Sequence, residues 1–411
     1  MDDNSRSVVI FTGISHAIVH TYELSIPILV TIWLVEFPVS TATLGAVVSV
    51  GYALFGIGAL PGGVLADRFG SQILIVACLL GMGISFLVLS FAGGILSIAV
   101  ALAIWGVAAS VYHPSGLSLI STGVENRGTA FAYHGMAGNI GIAFGPLITA
   151  LLLITFEWRT VTRLLMIPTA MALGYALYTD FDAKAAVSAD GGTEQSKSMS
   201  LEEFLRDSRA LFGIGFALAL AIVMMNGLFY RGMLTFLPEV LDQFLPPMSD
   251  FIQLFEPGSP VSEEFTLSSY VYVGLLTIGI GGQYIGGKVS DRIAPTTGLA
   301  VVFSGLIIVT ISFVPAARWG LFALVCVSAL FGFFLFALQP LYQATIADHS
   351  PSDDRGLSYG YTYLTSFGIG AAGAAISGYL LSIISVDRAF LALVLFPVLG
   401  GLFAIALRQR S

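Results

Sequence analysis

The sequence has very little charge and almost no cysteine. Only 10% of its 411 residues are Asp, Glu, Lys or Arg, whereas 56% are hydrophobic, and the mean hydropathy is +0.89. A soluble core cannot bury that much apolar side chain, so lipid is the expected solvent. The two cysteines, Cys78 and Cys326, both lie in apolar runs. Neither a disulfide framework nor a cysteine-based metal site is expected.

Positive charge is also scarce. The 17 Lys and Arg residues are outnumbered by 25 Asp and Glu residues, which gives a net charge of −8. Nucleic-acid phosphates attract the opposite sign, so no nucleic-acid partner is expected. The sequence offers neither an acidic pair on one helix nor a His-rich loop that could build a catalytic metal or phosphate site. We therefore expect no enzyme activity, no metal and no cofactor.

Apolar runs long enough to cross a membrane occur twelve times. A helix needs ~20 apolar residues to cross a hydrocarbon core of ~30 Å. The sequence thus predicts an all-α membrane protein with twelve transmembrane helices. They are placed near residues 8–34, 41–66, 73–91, 95–122, 129–154, 159–179, 209–237, 267–289, 298–317, 320–347, 356–384 and 388–408.

A polar stretch rich in Ser, Gly, Asp and Glu separates the sixth and seventh runs. It predicts a six-helix bundle over residues 1–180, a cytoplasmic linker over 181–208 and a second six-helix bundle over 209–411. Most Lys and Arg residues fall in loops on the side of both termini. Positive loops are retained in the cytoplasm, so both termini are expected there.

Polar landmarks of the first half recur in the second at nearly constant spacing. The repeated groups are Gly63, Asp67, Arg68 with Gly287, Asp291, Arg292; His113-Pro114 with Gln339-Pro340; and Arg127-Gly128 with Arg355-Gly356. Three such matches in order indicate two halves of common architecture.

These residues resemble a known family over essentially the whole chain. The Gly63, Asp67, Arg68, Gly70 signature and its later copy are similar to the mark of the major facilitator superfamily, although Ser71 and Gln72 stand where basic residues usually follow. The resemblance implies two pseudo-symmetric six-helix bundles and secondary transport.

Within that superfamily, three stretches resemble the branch containing the fosmidomycin resistance protein. They are His16 to Pro27, His113-Pro114, and Arg127 to Pro146. The run Gly141-x-x-x-Gly145-Pro146 also resembles the antiporter motif of drug/proton exchangers, with Thr149 and Ala150 in place of its following glycines. The resemblance favours efflux.

One face of the first helix carries three ionisable side chains. His16, His20 and Glu23 are four and three residues apart, a spacing that places them together. Ionisable groups inside hydrocarbon are costly and by default mark transport pathways. Burial penalises a charged carboxylate, and imidazole titrates near neutrality, so this group could bind and release a proton. The alternative is that the histidines only satisfy polar partners between helices.

Arg231 is the one basic residue expected to be buried well inside a predicted helix, since the others fall at or near the helix ends. Because helices one and seven correspond in the repeat, we expect Arg231 and His20 to face one central cavity. Arg231 could pair with Glu23 or hold an anionic substrate, and both alternatives remain open. The other candidates for substrate binding are His113, Gln339, Tyr230, Asn226 and Tyr112.

His113-Pro114 and Gln339-Pro340 are expected to interrupt the fourth and tenth helices, because proline removes a backbone donor. His134 is a weaker polar candidate in the fifth helix. Small residues such as Gly138, Gly141 and Gly145 are expected to let helices pack closely.

Charged residues in the inner loops predict a cytoplasmic gate, that is, contacts that hold the halves together and must break during transport. The gate residues are Gly63, Asp67, Arg68, Gly70, Arg127, Asp291, Arg292 and Arg355.

The sequence therefore predicts a secondary active transporter of a small solute. Our leading hypothesis is a proton-coupled antiporter that exports a drug-like or metabolic compound, and the alternative is proton symport of a small organic anion. The expected partners are the solute, protons and the lipid bilayer. We expect a multi-pass monomer in the plasma membrane of a prokaryote.

Overall fold

The computed structural model describes residues 1–124, 127–185, 201–246, 267–290, 292–350 and 355–410. Within these ranges it describes only the backbone of Asp67, 127–129, Ala132, 201–204, Asp207, Arg355 and Gly356.

Helices make up every regular element that the structure describes in the first half of the chain. The first, α1, is capped by Asp2, whose carboxylate accepts the Ser5 backbone N–H at 2.8 Å. The helices of this half are α1 (Asp3–Glu36), α2 (Thr41–Ile57), α3 (Ala59–Phe69), α4 (Ser71–Leu89), α5 (Ile95–Ser110), α6 (Tyr112–Gly123), α7 (Arg127–Leu153), α8 (Trp158–Leu164) and α9 (Met166–Tyr178).

The described part of the second half is also helical. Its elements are α10 (Leu201–Leu211), α11 (Ile214–Asp242), α12 (Leu267–Ser290), α13 (Pro295–Trp319), α14 (Leu321–Asp348), α15 (Arg355–Tyr363), a π-helical segment (Leu364–Ile369), α16 (Ala372–Ile383), α17 (Val386–Leu393) and α18 (Leu395–Arg408). The seventh predicted helix begins later than expected, at Ile214, because the polar segment before it forms the separate helix α10.

Eleven described helical segments are long and apolar enough to cross a membrane. The chain is therefore an all-α, multi-pass membrane protein. The predicted eighth span forms the 24-residue helix α12 but is not among the eleven. Several glycines, Gln283 and Lys288 lower its hydropathy.

Proline interrupts the fourth span but not the tenth. Helix α5 ends at Ser110, four residues before Pro114, whose ring has no N–H to donate and would meet the Ser110 carbonyl in a regular helix. In contrast, α14 runs unbroken through Pro340, so the expected interruption at Gln339-Pro340 is wrong. A membrane helix can retain proline when its neighbours adjust locally.

The sequence repeat reappears as equivalent packing in the two halves. Helix α2 packs on α5, and its counterpart α12 packs on α14. A Cβ placed on Gly63 would lie 3.9 Å from the Pro114 Cβ, and one on Gly287 would lie 3.9 Å from the Pro340 Cβ. The repeated glycines therefore face the repeated prolines.

The two halves touch along the whole length of the molecule. At one end, the Thr41 hydroxyl donates to the Gly378 carbonyl at 2.9 Å. Near the middle, the backbones of Gly56 and Gly368 lie so close together that a Cβ on Gly56 would collide with the backbone of Gly368. At the other end, α3 packs against α15. This arrangement leaves the centre enclosed.

Candidate functional site

The first and second halves are joined in the interior by a pair of opposite charges. Glu23 on α1 is 1% exposed and Arg231 on α11 is 3% exposed. The Glu23 Oε1 accepts a hydrogen bond from the Arg231 Nη2. Each charge compensates the other, since an isolated ion is very costly away from water.

His20 uses the second oxygen of the same carboxylate. Its Nδ1 lies 2.5 Å from Glu23 Oε2, three residues along one helix face. An ionised carboxylate can only accept hydrogen bonds, so the Nδ1 of His20 must carry the hydrogen. This assignment leaves the Nε2 of His20 pointing away from Glu23.

His16 continues the chain of polar contacts. Its Nδ1 lies 2.8 Å from the carbonyl oxygen of His134 on α7, and a carbonyl can only accept, so this nitrogen also carries its hydrogen. The Nε2 atoms of His16 and His20 face each other at 3.1 Å. The nitrogen lone pairs of two facing Nε2 atoms repel each other at this distance, so a hydrogen ion or a metal cation is needed between them.

Helix α7 makes room for this arrangement. A Cβ on Gly138 would lie 2.5 Å from the His16 Cε1, so a larger residue there would displace the ring. The α1 backbone packs directly against two further glycines of α7, at Ala17 against Gly141 and at Thr21 against Gly145. The prediction that these glycines permit close packing is confirmed.

Aromatic rings cover the guanidinium of Arg231. Its Cζ lies 3.8 Å from the ring centroid of Tyr52 and 5.5 Å from those of Tyr230 and Phe367. Such faces stabilise a cation and exclude water from it. The Arg231 Nε is buried and has no hydrogen-bond partner among the described residues. One donor is thus available to a further acceptor.

His113, at the start of α6 just after the helix break, packs beside His16 and His20. Its ring centroid lies 5.3 Å from that of His16 and 5.6 Å from that of His20. On its other side it contacts the rings of Tyr363 and Phe367, at 4.9 and 5.7 Å. The broken helix therefore presents His113 to both halves of the chain.

Tyr112 holds His134, the histidine that stacks on His16. Its hydroxyl donates to the Thr12 carbonyl at 2.5 Å and lies 3.1 Å from the His134 Nε2. Because the hydroxyl hydrogen is committed to Thr12, the His134 nitrogen must be the donor. His134 stacks on His16 with centroids 4.0 Å apart.

Two predicted substrate residues, Gln339 and Asn226, take no part in the contacts described above. Gln339 accepts a hydrogen bond from Gln283 at 3.2 Å, within the second half. Asn226 is 6% exposed, and its Oδ1 has no partner among the described residues. A cavity of about 430 Å³ is also separate, since it lies at the outer end of the predicted topology, beside Thr41 and the Arg318–Asp387 ion pair.

The predicted gate is only partly within the described structure. Gly70 has a φ of +89° and separates α3 from α4, a conformation that favours glycine. Arg68 and Arg292 are exposed at the corresponding helix ends. Asp291 and the side chains of Asp67, Arg127 and Arg355 lie outside the described residues, so the expected charge clusters remain predictions.

Sequence reasoning missed two aromatic residues of the site, namely Tyr52 and Phe367. Nothing distinguishes them in a chain with 15 tyrosines and 30 phenylalanines.

Comparison with known proteins identifies the family. Residues 10–375 match the family described as Major Facilitator Superfamily. The chain belongs to this superfamily. An uncharacterized MFS-type transporter of Bacillus subtilis (strain 168), YfnC, is 23% identical over 76% of the chain and 71% of the relative. A Na⁺, Li⁺, K⁺/H⁺ antiporter of Planococcus maritimus is 28% identical over 31% of each.

Solved structures show that this superfamily member has the transporter fold. A bacterial homologue of the human lysosomal transporter Spinster, inward-facing and occupied, has a TM-score of 0.79 at 13% identity and covers 100% of this chain and 98% of that one. A D-xylose-proton symporter has a TM-score of 0.74 at 12% identity, covering 98% and 97%. The family and fold are those of transporters.

Proposed function

We propose that this transporter couples the movement of a small solute to a proton, as an antiporter exporting a drug-like or metabolic compound. The buried Glu23–Arg231 contact, which joins the two halves and continues through His20, carries the proposal. The setting is two six-helix bundles over residues 1–180 and 209–411, joined by the linker 181–208. The proposed topology has twelve spans and cytoplasmic termini.

Proton binding changes the strength of this contact. The attraction between Glu23 and Arg231 is strong because water is excluded around them. A proton on Glu23 removes the negative charge and leaves Arg231 without its counter-ion. The protonated state therefore favours separation of α1 from α11, which lets water or solute reach the guanidinium.

His20 and His16 provide a path for the proton. His20 contacts Glu23 on one side and His16 on the other, so hydrogen can pass between neighbouring groups with little movement. The facing Nε2 atoms can share one additional hydrogen. Protonation at one surface and release at the other, joined to the change of contact between halves, gives alternating access.

Solute binding is proposed at the surface formed by Arg231, His113, Tyr112 and Tyr230. Its aromatic side chains would contact the apolar part of an amphiphilic compound once the halves separate. Asn226 and Gln339 are proposed to contribute farther along the second half. The gate residues Gly63, Asp67, Arg68, Gly70, Arg127, Asp291, Arg292 and Arg355 are proposed to hold the cytoplasmic end.

Proton symport of a small organic anion is the second candidate. The Arg231 Nε–H, which has no hydrogen-bond partner within the described part of the chain, supports it, because an anion could accept that hydrogen while Glu23 is protonated. A carboxylate or phosphonate would then replace Glu23 as the counter-ion of Arg231. The relative from Planococcus maritimus adds monovalent cations to the solutes to be tested.

The sign of the pH change inside proteoliposomes separates these functions. Vesicles with a trapped pH dye and no initial pH gradient receive one compound outside. The panel holds amphiphilic drugs, small carboxylates and phosphonates, and Na⁺ or K⁺ salts. Antiport makes the interior alkaline as protons leave, whereas symport makes it acidic. Either insertion orientation gives the same sign, because coupling is reversible.

Protein-free vesicles measure the pH change that a permeant weak base causes by itself. An alkaline change seen only with protein supports antiport, and an acidic change only with protein supports the second candidate. If radiolabelled compounds cross the membrane through the protein with no pH change, proton coupling is wrong.

A further inference from the structure

Three of the five histidines of the chain converge in the interior. His16, His20 and His113 can each place one ring nitrogen within 4.8 Å of the others. None of the three rings belongs to a residue more than 8% exposed. Imidazole nitrogen is a preferred ligand of divalent zinc, copper and nickel.

The hydrogen-bond partners leave the required lone pairs free. His16 donates its Nδ1 hydrogen to the His134 carbonyl, and His20 donates its Nδ1 hydrogen to Glu23. Histidines that bind metals generally donate their other nitrogen to a carbonyl or carboxylate in this way. Each Nε2 therefore keeps a lone pair, and a metal ion can take the place of the hydrogen that the two atoms would otherwise share.

The spacing fits a metal as well. Two nitrogens bound to tetrahedral zinc at ~2.0–2.1 Å lie about 3.3 Å apart, and the two Nε2 atoms are 3.1 Å apart. His113 makes ring contacts but has no hydrogen-bond partner among the described residues. Its nitrogens are free to bind, and an approach of about 1.5 Å would complete the set.

We propose that His16, His20 and His113 form a binding site for one divalent transition-metal cation of the zinc class. Three protein ligands leave a further coordination position for water or solute. Glu23 acts as the outer partner of His20. Because the rings are enclosed here, the ion enters when the halves separate, so binding is to be measured where the protein can exchange conformations.

Cobalt provides a direct test. The full chain, purified in detergent with an affinity tag that lacks histidine, is titrated with Co²⁺ at fixed pH. Visible absorption reports four- or five-coordinate Co²⁺. We expect saturation at one ion per chain and displacement by Zn²⁺, which binds such sites more tightly. The measurement needs no transport, so its failure is independent of the proposed coupling.

Matched variants locate the ion. His113→Phe keeps the aromatic contacts but removes the nitrogens, and it should weaken Co²⁺ binding at least ~10-fold, as should Glu23→Gln through His20. His349→Gln should bind Co²⁺ as the wild type does, because His349 is at the end of α14 and bonds only to Thr345 in the described structure. His134→Gln should also leave binding intact, since the carbonyl used by His16 remains.

Two outcomes would overturn the proposal. One is an absence of saturable Co²⁺ binding by wild-type protein that is monodisperse and helical. The other is wild-type affinity in His113→Phe, which would identify an adventitious site. A variant whose circular dichroism shows unfolding is replaced by His20→Gln, judged by the same criterion.

Discussion

At the scale of single residues, Glu23 is shared between two partners. One oxygen contacts Arg231 across the halves, and the other contacts His20 on the same helix. Any event that removes the carboxylate charge therefore alters both contacts together. This double use is the physical basis for proposing that one proton changes the relation between the halves.

The buried ion pair also predicts a stability effect. Arg231→Met leaves the buried Glu23 carboxylate with its His20 hydrogen bond but without its cationic partner, so we expect a loss of about 3–5 kcal/mol. The double variant Glu23→Gln with Arg231→Met should recover much of it, because no isolated charge remains. Apparent unfolding temperatures in detergent measure both effects.

Arg318→Met is the matched control. Arg318 pairs with Asp387 at 2.7 Å, but its side chain is 61% exposed. Its loss should cost less than about 1 kcal/mol. Equal losses for Arg231→Met and Arg318→Met would contradict the importance assigned to the buried pair.

The sequence could predict part of this site. The spacing of His16, His20 and Glu23 places them on one helix face, and the repeat brings helices one and seven together. The orientation of His113 toward His16 could not be predicted, because it depends on where α5 breaks and how α6 turns. Tyr52 was missed because its importance arises only from packing against Arg231.

At the scale of helices, close packing of α1 on α7 positions the histidines. Gly141→Ala would place a Cβ 2.9 Å from the Ala17 Cα and closer still to its carbonyl group, so the helices must part. We expect a lower yield of folded protein and a lower unfolding temperature. Size-exclusion profiles and thermal unfolding in detergent check this.

Gly135→Ala provides the control on the same helix. A Cβ at Gly135 meets nothing within 4 Å, leaving out its own helix backbone. Alanine favours helix by up to ~1 kcal/mol over glycine, so this variant should be neutral or slightly stabilised. If Gly135→Ala and Gly141→Ala behave alike, close packing at Gly141 is not what matters.

Helix positions were largely predictable because length and hydropathy determine them. The exceptions follow local chemistry. Helix α10 replaces the predicted start of the seventh span because Leu201–Leu211 is amphipathic rather than uniformly apolar. Pro114 and Pro340 look alike in sequence, yet only the first accompanies a helix break. Tertiary surroundings decide between them.

At the scale of the whole molecule, the halves close against each other at both ends. Gly378→Trp should keep the Thr41 end open, because a Cβ there already approaches the Gly45 Cα at 3.1 Å. We expect Ser49→Cys, whose wild-type hydroxyl bonds to the Ala371 carbonyl, to react faster with a membrane-impermeant maleimide in that background.

The labelling uses Cys326→Ser protein, in which the remaining cysteine, Cys78, is buried. Gly274→Trp is the control, since a Cβ at Gly274 meets nothing within 4 Å outside its own helix backbone. Equal labelling rates in the Gly378→Trp and Gly274→Trp proteins would show that the Gly378 contact does not close this end.

The most direct test of the account compares Glu23→Gln with Glu36→Gln in dye-loaded proteoliposomes. Both acids are on α1, but Glu36 bonds to Trp158 and Arg159 near the surface. For a compound that moves protons through the wild type, we predict that Glu23→Gln abolishes the pH change and Glu36→Gln preserves it. A wild-type pH change in folded Glu23→Gln protein would contradict the claim that Glu23 couples the proton to the solute.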